Sequence, residues 1–331
     1  MSSAWKQRRE AGGQTALRML HAIATRLGRA PARLLLYPIT AYFLLRRPVE
    51  RGDSRAYLSR VFGRPATLGE VARHIHTFAA TILDRLFLLS ESIRRFDVRA
   101  EGLGALHAHL DAGRGVLLFG SHLGSFEVLR VLVRQRPDYP IRVVLDRAHG
   151  RAVTELLEAV NPEVAATVID AGEGGPAVAL QIQQALAQGA MVALLVDRSQ
   201  DGGATRDVPF LGAPAPFPVA PWLLASVLKV PVMLAFGLYR GGNRYDLLFE
   251  SFSDGIDLPR RERQAGVDAL IRRYAARLEH HARSAPYNWF NFYDFWTSAD
   301  DKRDHDASQP EGLPAAGDAA RSAGVGSGPG H

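Results

Sequence analysis

The chain has 331 residues, of which 47% are hydrophobic, so it is long enough to bury a sizeable core. Its formal net charge is +6 at pH 7, and this basic balance favours contact with an anionic lipid surface, an acidic carrier protein or a nucleic acid. The sequence contains no cysteine, which excludes disulfide bonds, zinc–thiolate sites and thiol nucleophiles.

Residues 1–50 combine arginines and a lysine with an apolar run from Leu34 to Leu45. This run is shorter than the roughly 20 residues that a membrane-spanning helix needs, and Pro38 interrupts it. Because arginines and aromatic rings accompany the run, we expect a helical segment that lies in the membrane interface. A buried core helix with basic ends is the alternative. No signal peptide with a cleavage site is predicted, so the catalytic domain is expected to face the cytoplasm.

Apolar residues recur at helical spacing from Leu68 to Leu89, which predicts an amphipathic helix. After Phe96, short apolar strands alternate with helical stretches, a pattern typical of an α/β fold with a mainly parallel sheet flanked by helices. The predicted strands are Gly115 to Phe119, Ile141 to Leu145, Thr167 to Ile169, Met191 to Val196, Val232 to Phe236 and Tyr245 to Phe249. The predicted helices are Phe126 to Arg134, Ala152 to Val160, Ala177 to Gln188, Ala220 to Leu228 and Arg263 to His280. This domain is expected to span residues 51–298, and the polar, Gly- and Pro-rich residues 299–331 are expected to be a disordered tail.

The first predicted strand runs directly into Gly-Ser-His-Leu-Gly-Ser-Phe-Glu, residues 120–127. In open α/β sheets, ligands bind at the carboxyl ends of strands, so His122 is predicted to lie where chemistry takes place. Gly120 and Gly124 permit a tight turn, and Ser125 is a candidate N-cap residue for the next helix.

Glu127 is predicted to lie in the first turn of that helix, within hydrogen-bonding reach of His122. Its carboxylate then holds one ring N–H, while the other ring nitrogen accepts a proton from an alcohol or amine. The backbone N–H groups of Gly124 and Ser125 are predicted to stabilise the resulting oxyanion. The alternative is a buried histidine paired with a carboxylate for structural reasons. The strand, the two glycines and the capped helix favour the catalytic interpretation.

These residues resemble the catalytic block of the lipid A biosynthesis (late) acyltransferases, relatives of the glycerolipid acyltransferases that share an H-x-x-x-x-D/E motif. The resemblance extends from the basic N-terminus to about Trp296. It implies a glycerolipid acyltransferase-like fold in which His122 is the base and Glu127 its orienting partner. It also implies an acyl carrier protein or acyl-CoA donor, a lipid acceptor, and a location at the cytoplasmic face of a bacterial-type inner membrane.

Two further stretches resemble blocks of the same family. Arg147, in Val-Val-Leu-Asp-Arg, resembles an arginine that is thought to contact an anionic part of the substrate. Leu-Leu-Val-Asp-Arg-Ser, followed by Val-Pro-Phe-Leu-Gly, resembles a third region and makes Asp197, Arg198 and Phe210 candidates for the substrate pocket. For Asp197, a simple strand-ending turn is the alternative.

The segment from Pro286 to Trp296 is aromatic and nearly uncharged, whereas family members that modify lipid A typically carry a basic segment at this point. We interpret it as a cover for acyl chains or a contact with the bilayer surface, with ordinary core packing as the alternative. This departure leaves the acceptor open between lipid A and another lipid.

The sequence therefore predicts an acyltransferase that moves a fatty-acyl group from a thioester to a hydroxyl or amine of a lipid. No acyl-enzyme is expected, because the chain has neither a G-x-S-x-G elbow nor a cysteine. A lipid hydrolase with the same dyad and a non-catalytic membrane lipid-binding protein are the alternatives. Nucleic acid is not an expected partner, since no nucleic-acid motif is recognisable. No metal ion or cofactor is expected, and His74 and His76 point in different directions on a helix.

Overall fold

A mixed, mainly parallel sheet of seven strands forms the centre of the computed structural model, which describes residues 26, 28–89, 91–131, 136, 138–147, 166–199 and 203–296. In chain order, the strands are β1 (Asp97–Glu101), β2 (Val116–Gly120), β3 (Ile141–Leu145), β4 (Val168–Asp170), β5 (Met191–Leu195), β6 (Thr205–Phe210), β7 (Ala213–Pro218), β8 (Val232–Gly241) and β9 (Arg244–Ser253). The helices are α1 (Arg29–Leu34), α2 (Leu36–Arg46), α3 (Pro48–Phe62), α4 (Leu68–Leu88), α5 (Leu103–Asp111), α6 (Gly175–Ala187), α7 (Ala220–Leu228) and α8 (Arg263–Ser284).

The strand order in the large sheet is β1-β9-β8-β2-β5-β3-β4, and β8 with β9 is its antiparallel pair. Strands β8, β2, β5, β3 and β4 all run in the same direction. Their carboxyl ends therefore share one edge of the sheet, where α/β proteins bind their ligands. This arrangement confirms the predicted α/β fold.

Strand β2 lies in the middle of the sheet, and all five of its residues are buried. Leu117 and Phe119 pack into the hydrophobic cluster on one face, whereas Val116 and Leu118 pack into the cluster on the other. A parallel strand covered on both faces needs such a continuous apolar run. The central strand is thus fixed in place immediately before the residues of the predicted catalytic loop.

Several elements differ from the sequence-based prediction. Strand β1 was not predicted, although its alternation of charged and apolar residues is the pattern of a half-buried strand. Strands β6 and β7 form a separate antiparallel hairpin, and their prolines argue against a strand in the sequence pattern. Helix α5 was also not predicted. The helix predicted from Ala152 to Val160 and the tail at 299–331 lie outside the described residues.

Helix α4 confirms the predicted amphipathic helix, and it begins with a capping box between Thr67 and Glu70. The N-terminal helices pack on it. The domain boundary predicted after residue 50 falls inside α3. Arg29 of α1 forms two hydrogen bonds of 2.7 Å to the buried carboxylate of Asp84, which anchors this end of the chain to the fold.

The apolar run at the N-terminus is divided between helices that are both partly exposed. Leu34, Tyr37, Tyr42 and Leu45 present about half or more of their surface to solvent, while Leu36 is fully buried against the rest of the fold. Among the described helices, none has both the length and the apolar character needed to cross a bilayer. The segment is therefore a packed helical layer with one apolar face exposed.

Candidate active site

His122 lies two residues beyond the end of β2, at the shared carboxyl edge. The carbonyl group of Gly120 accepts hydrogen bonds from the Val196 backbone at 3.0 Å and from the Tyr274 hydroxyl at 2.9 Å, which fixes the start of the loop. The His122 side chain is 37% exposed, so a substrate can reach its ring.

Asp197 is the residue that holds the His122 ring. Its Oδ1 atom lies 2.8 Å from Nδ1 of His122, and its Oδ2 atom accepts a hydrogen bond of 3.1 Å from the His122 backbone. The Asp197 side chain is fully buried, and an ionised carboxylate can only accept hydrogen bonds. Nδ1 of His122 therefore carries the proton, and Nε2 is left with a lone pair.

The electrostatic environment keeps this pair in the form that a general base requires. Burial lowers the pKa of His122 below its ordinary value, and the nearby Arg198 guanidinium lowers it further, while Asp197 acts in the opposite direction. Burial alone would raise the pKa of Asp197, but the His122 ring and Arg198 hold that pKa well below its usual range. At neutral pH the carboxylate is therefore charged and the imidazole is neutral.

Glu127 does not make the predicted hydrogen bond to His122. Its Oε1 atom lies 2.5 Å from Nε of Arg85, and its Oε2 atom accepts a hydrogen bond of 2.8 Å from the Ser125 hydroxyl. The predicted α-helix begins instead as a 3₁₀ turn, Phe126–Leu129, and this tighter winding changes where the carboxylate points. The sequence-based pairing is therefore corrected to Asp197, and the catalytic role of Glu127 stays a prediction.

The backbone N–H groups of Gly124 and Ser125 do not form the predicted oxyanion site. The N–H of Gly124 donates to the carbonyl of Asn288, and that of Ser125 donates to the carbonyl of Gly237, both at 2.8 Å. Gly124 has a φ of +76°, and a Cβ atom there would collide with the Gly237 carbonyl. Ser125 occupies the N-cap position, but its side chain makes no capping hydrogen bond. Both residues dock the loop onto the fold.

The other predicted site residues lie at different depths. Arg198 follows Asp197 directly, with its Nε atom 4.0 Å from Oδ2 of that carboxylate and its guanidinium stacked over Tyr293. Arg147 follows β3, two strands away from β2 at the same edge, and its backbone N–H donates to Asp170. Phe210 is fully buried and packs on Trp289, and its predicted role in the substrate pocket stays a prediction. The pattern did not reveal that β6 covers the core at this point.

The aromatic segment from Pro286 to Trp296 contacts both His122 and Asp197. Trp289 is fully buried, and its indole N–H donates to Oδ2 of Asp197 at 3.2 Å. The backbone N–H of Phe290 donates to the carbonyl of His122 at 2.9 Å. Core packing, the alternative interpretation of this segment, therefore holds for Trp289. Sequence reasoning missed its link to Asp197, for which the only signal was the density of aromatic residues.

Comparison with known proteins identifies the family. The family sequence model of the bacterial lipid A biosynthesis acyltransferases matches residues 30–298, which is more than half of the chain. A search of curated proteins finds no match. The matched region includes the His122 loop, Asp197 and the aromatic segment that joins them. This chain belongs to the bacterial lipid A biosynthesis acyltransferase family.

Proposed function

We propose that this protein transfers a fatty-acyl group from an acyl thioester to a hydroxyl or amine of a lipid acceptor, with His122 as the general base. The family match supports acyl transfer to a lipid. The observation that carries the proposal is the state of His122, whose Nδ1 is held 2.8 Å from a buried carboxylate while part of the side chain is exposed. This arrangement leaves Nε2 as the proton acceptor.

In the proposed reaction, Nε2 of His122 removes the proton of the acceptor group as its oxygen or nitrogen attacks the thioester carbon. A tetrahedral intermediate forms, the carbon–sulfur bond breaks, and the imidazolium returns the proton to the departing thiolate. Asp197 stabilises the imidazolium and keeps the ring in one tautomer. The absence of cysteine from the sequence fits direct transfer in a ternary complex.

The arginines at the carboxyl edge supply binding groups for anionic parts of the substrates. Arg198 adjoins Asp197, and Arg147 follows the next strand but one from His122. Guanidinium groups bind phosphates and carboxylates through charge-assisted hydrogen bonds. We therefore propose both as substrate-binding residues, as the sequence predicts.

Exposed arginines near this edge favour an acidic carrier protein as the donor. Arg240 and Arg244 are exposed around the turn between β8 and β9, where Arg240 also pairs with Asp246 at 2.6 Å. This turn follows the carboxyl end of β8, the neighbour of β2. A positive surface here would steer an acidic carrier towards His122. Comparing kcat/KM for acyl carrier protein and CoA thioesters tests the preference.

The exposed apolar face of the N-terminal helices supports binding to a membrane surface. Leu34, Tyr37 and Leu45 are each about two-thirds exposed or more, and large apolar side chains grouped on neighbouring helices form the kind of surface that binds a membrane or a protein. Neighbouring arginines suit anionic headgroups. We propose that this face rests on the cytoplasmic side of a bacterial inner membrane.

The decisive experiment compares wild-type protein with His122→Ala and, as a control, His280→Ala on the exposed surface of α8. Loss of a general base commonly costs about 10²- to 10⁴-fold, so the first variant should lose transfer while staying folded. Mass spectrometry of cellular lipids then shows which acylated species disappears. A fully active His122→Ala protein would contradict the proposal. Release of free fatty acid would indicate a hydrolase, and lipid binding without any product would indicate a non-catalytic protein.

A further inference from the structure

Trp289 contacts the candidate active site through one group and the helical layer through another. Its indole N–H donates to Oδ2 of Asp197 at 3.2 Å, and its backbone carbonyl lies 3.0 Å from Nε2 of His74 on α4. The ring is fully buried and packs edge-to-face against Tyr57 and Phe210. Trp289 thus links helix α4 to the Asp197 carboxylate that holds His122.

His74 is itself held in one orientation. Both His74 and Ser54 are fully buried, and the Ser54 hydroxyl lies 2.8 Å from Nδ1 of His74. A backbone carbonyl can only accept a hydrogen bond, so Nε2 of His74 carries the proton that is donated to Trp289. Nδ1 must then accept from the Ser54 hydroxyl. The His74 ring also stacks on Phe292 at a centroid distance of 4.9 Å. Both ring nitrogens are therefore partnered in one tautomer.

We propose that Ser54, His74 and Trp289 form a positioning relay that fixes the Asp197 carboxylate against His122. The inference rests on the proposed function, because it assigns these residues to the alignment of the proposed base. None of the three is a catalytic residue, since each acts through Asp197.

The hydrogen bonds of Asp197 explain why its carboxylate depends on Trp289 for its orientation. Its Oδ2 atom accepts from both the His122 backbone and the Trp289 indole, while Oδ1 faces Nδ1 of the His122 ring. Two donors on one oxygen set the plane of the carboxylate and therefore the direction of the other oxygen. Catalytic groups need placement within about 0.5 Å, and a misplacement of about 1 Å can cost about 100-fold in rate.

The test is Trp289→Phe, which keeps an aromatic ring and removes the indole donor. We expect kcat to fall by about 10- to 100-fold while KM stays within about twofold. Without the indole donor, more of the Asp197 charge acts on His122, which stabilises the imidazolium. The acid limb of the pH–rate profile should therefore move to higher pH, a change that loss of packing alone does not produce.

Trp222→Phe is the matched control. Trp222 is also fully buried, and its indole nitrogen has no hydrogen-bond partner in the described part of the chain. This variant creates the same loss of volume without removing a hydrogen bond. It should leave the position of the acid limb and kcat within about twofold of wild type.

A second pair of variants tests the relay at its other end, with far-UV circular dichroism and thermal unfolding as checks of the fold. His74→Gln retains an N–H for the Trp289 carbonyl and should keep most of kcat, whereas His74→Leu should lose about as much as Trp289→Phe. If Trp289→Phe and His74→Leu both match Trp222→Phe in kcat and pH profile, the relay is wrong. The proposed function fails separately, through an active His122→Ala protein.

Discussion

Nδ1 of His122 lies 2.8 Å from Oδ1 of Asp197, although 75 positions separate the two residues in the chain. The register of the sheet explains this contact. Gly120 at the end of β2 pairs with Leu195 at the end of β5, and each site residue follows its strand by two positions. A slip of one residue between these strands would turn the side chains away from each other.

Asp197→Asn should abolish most activity without unfolding the protein. An asparagine amide can donate to Nδ1 and so stabilise the wrong tautomer, which puts the proton on Nε2, where the base must be free. We expect kcat to fall by about 10³- to 10⁴-fold. Steady-state kinetics measure the effect, and Asp268→Asn on the partly exposed ion pair with Arg206 serves as the control. A loss of less than about tenfold would mean that Asp197 does not orient the base.

The pH–rate profile should report the lowered pKa of His122. The base must be neutral, so kcat/KM rises with pH through this pKa, and the midpoint should lie below the ordinary value of 6.5. Arg198→Gln removes a repulsive positive charge, which raises the pKa of His122 and moves the acid limb to higher pH.

The control for this shift is Arg206→Gln, which removes an arginine that pairs with Asp268 away from the site. Profiles of kcat/KM for all three proteins provide the comparison. The limb position is informative even if Arg198 also binds substrate, because weaker binding lowers the profile without moving its midpoint. A limb that stays in place in Arg198→Gln would show that this arginine does not act on His122.

Glu127 and Arg85 should behave as a coupled pair in a double-mutant cycle. Glu127→Gln leaves the largely buried Arg85 without its counter-charge close to His122, and we expect kcat to fall by about 10- to 100-fold. Adding Arg85→Gln removes the uncompensated charge and should restore about tenfold of that loss. If no activity returns, the loss in Glu127→Gln does not arise from the uncompensated charge of Arg85, which would favour the catalytic role that the motif spacing predicts for Glu127.

Removing exposed apolar side chains from the N-terminal helices should weaken membrane binding. Leu34→Ser and Leu45→Ser together should reduce partitioning onto vesicles of anionic and zwitterionic phospholipids by about 10- to 100-fold. Each serine buries less apolar area in the membrane than the leucine that it replaces. Vesicle flotation measures the change. Val227→Ser is the control, since Val227 is 76% exposed but lies on α7. Equal binding by the double variant and the wild type would contradict this surface.

Local sequence patterns were sufficient for the elements that carry strong periodic signals. Strand β3 and helix α7 have the predicted bounds, because a short apolar run between polar residues and a Pro-initiated apolar stretch are both local signals. The same reasoning placed His122 at the end of a buried strand. Hairpin β6–β7 escaped prediction because its prolines disfavour strands in general and are tolerated only at such an edge.

The sequence by itself determined that a histidine follows an apolar strand in an α/β protein of the acyltransferase family. Only the tertiary structure decided which carboxylate holds it, because strand order depends on contacts between distant segments and is absent from local spacing. Glu127 is close in sequence, yet the 3₁₀ turn directs it to Arg85, whereas Asp197 reaches His122 across two adjacent strands. Trp289, in the last aromatic segment, packs against the pair, and Asp197 accepts the hydrogen bond of its buried indole N–H.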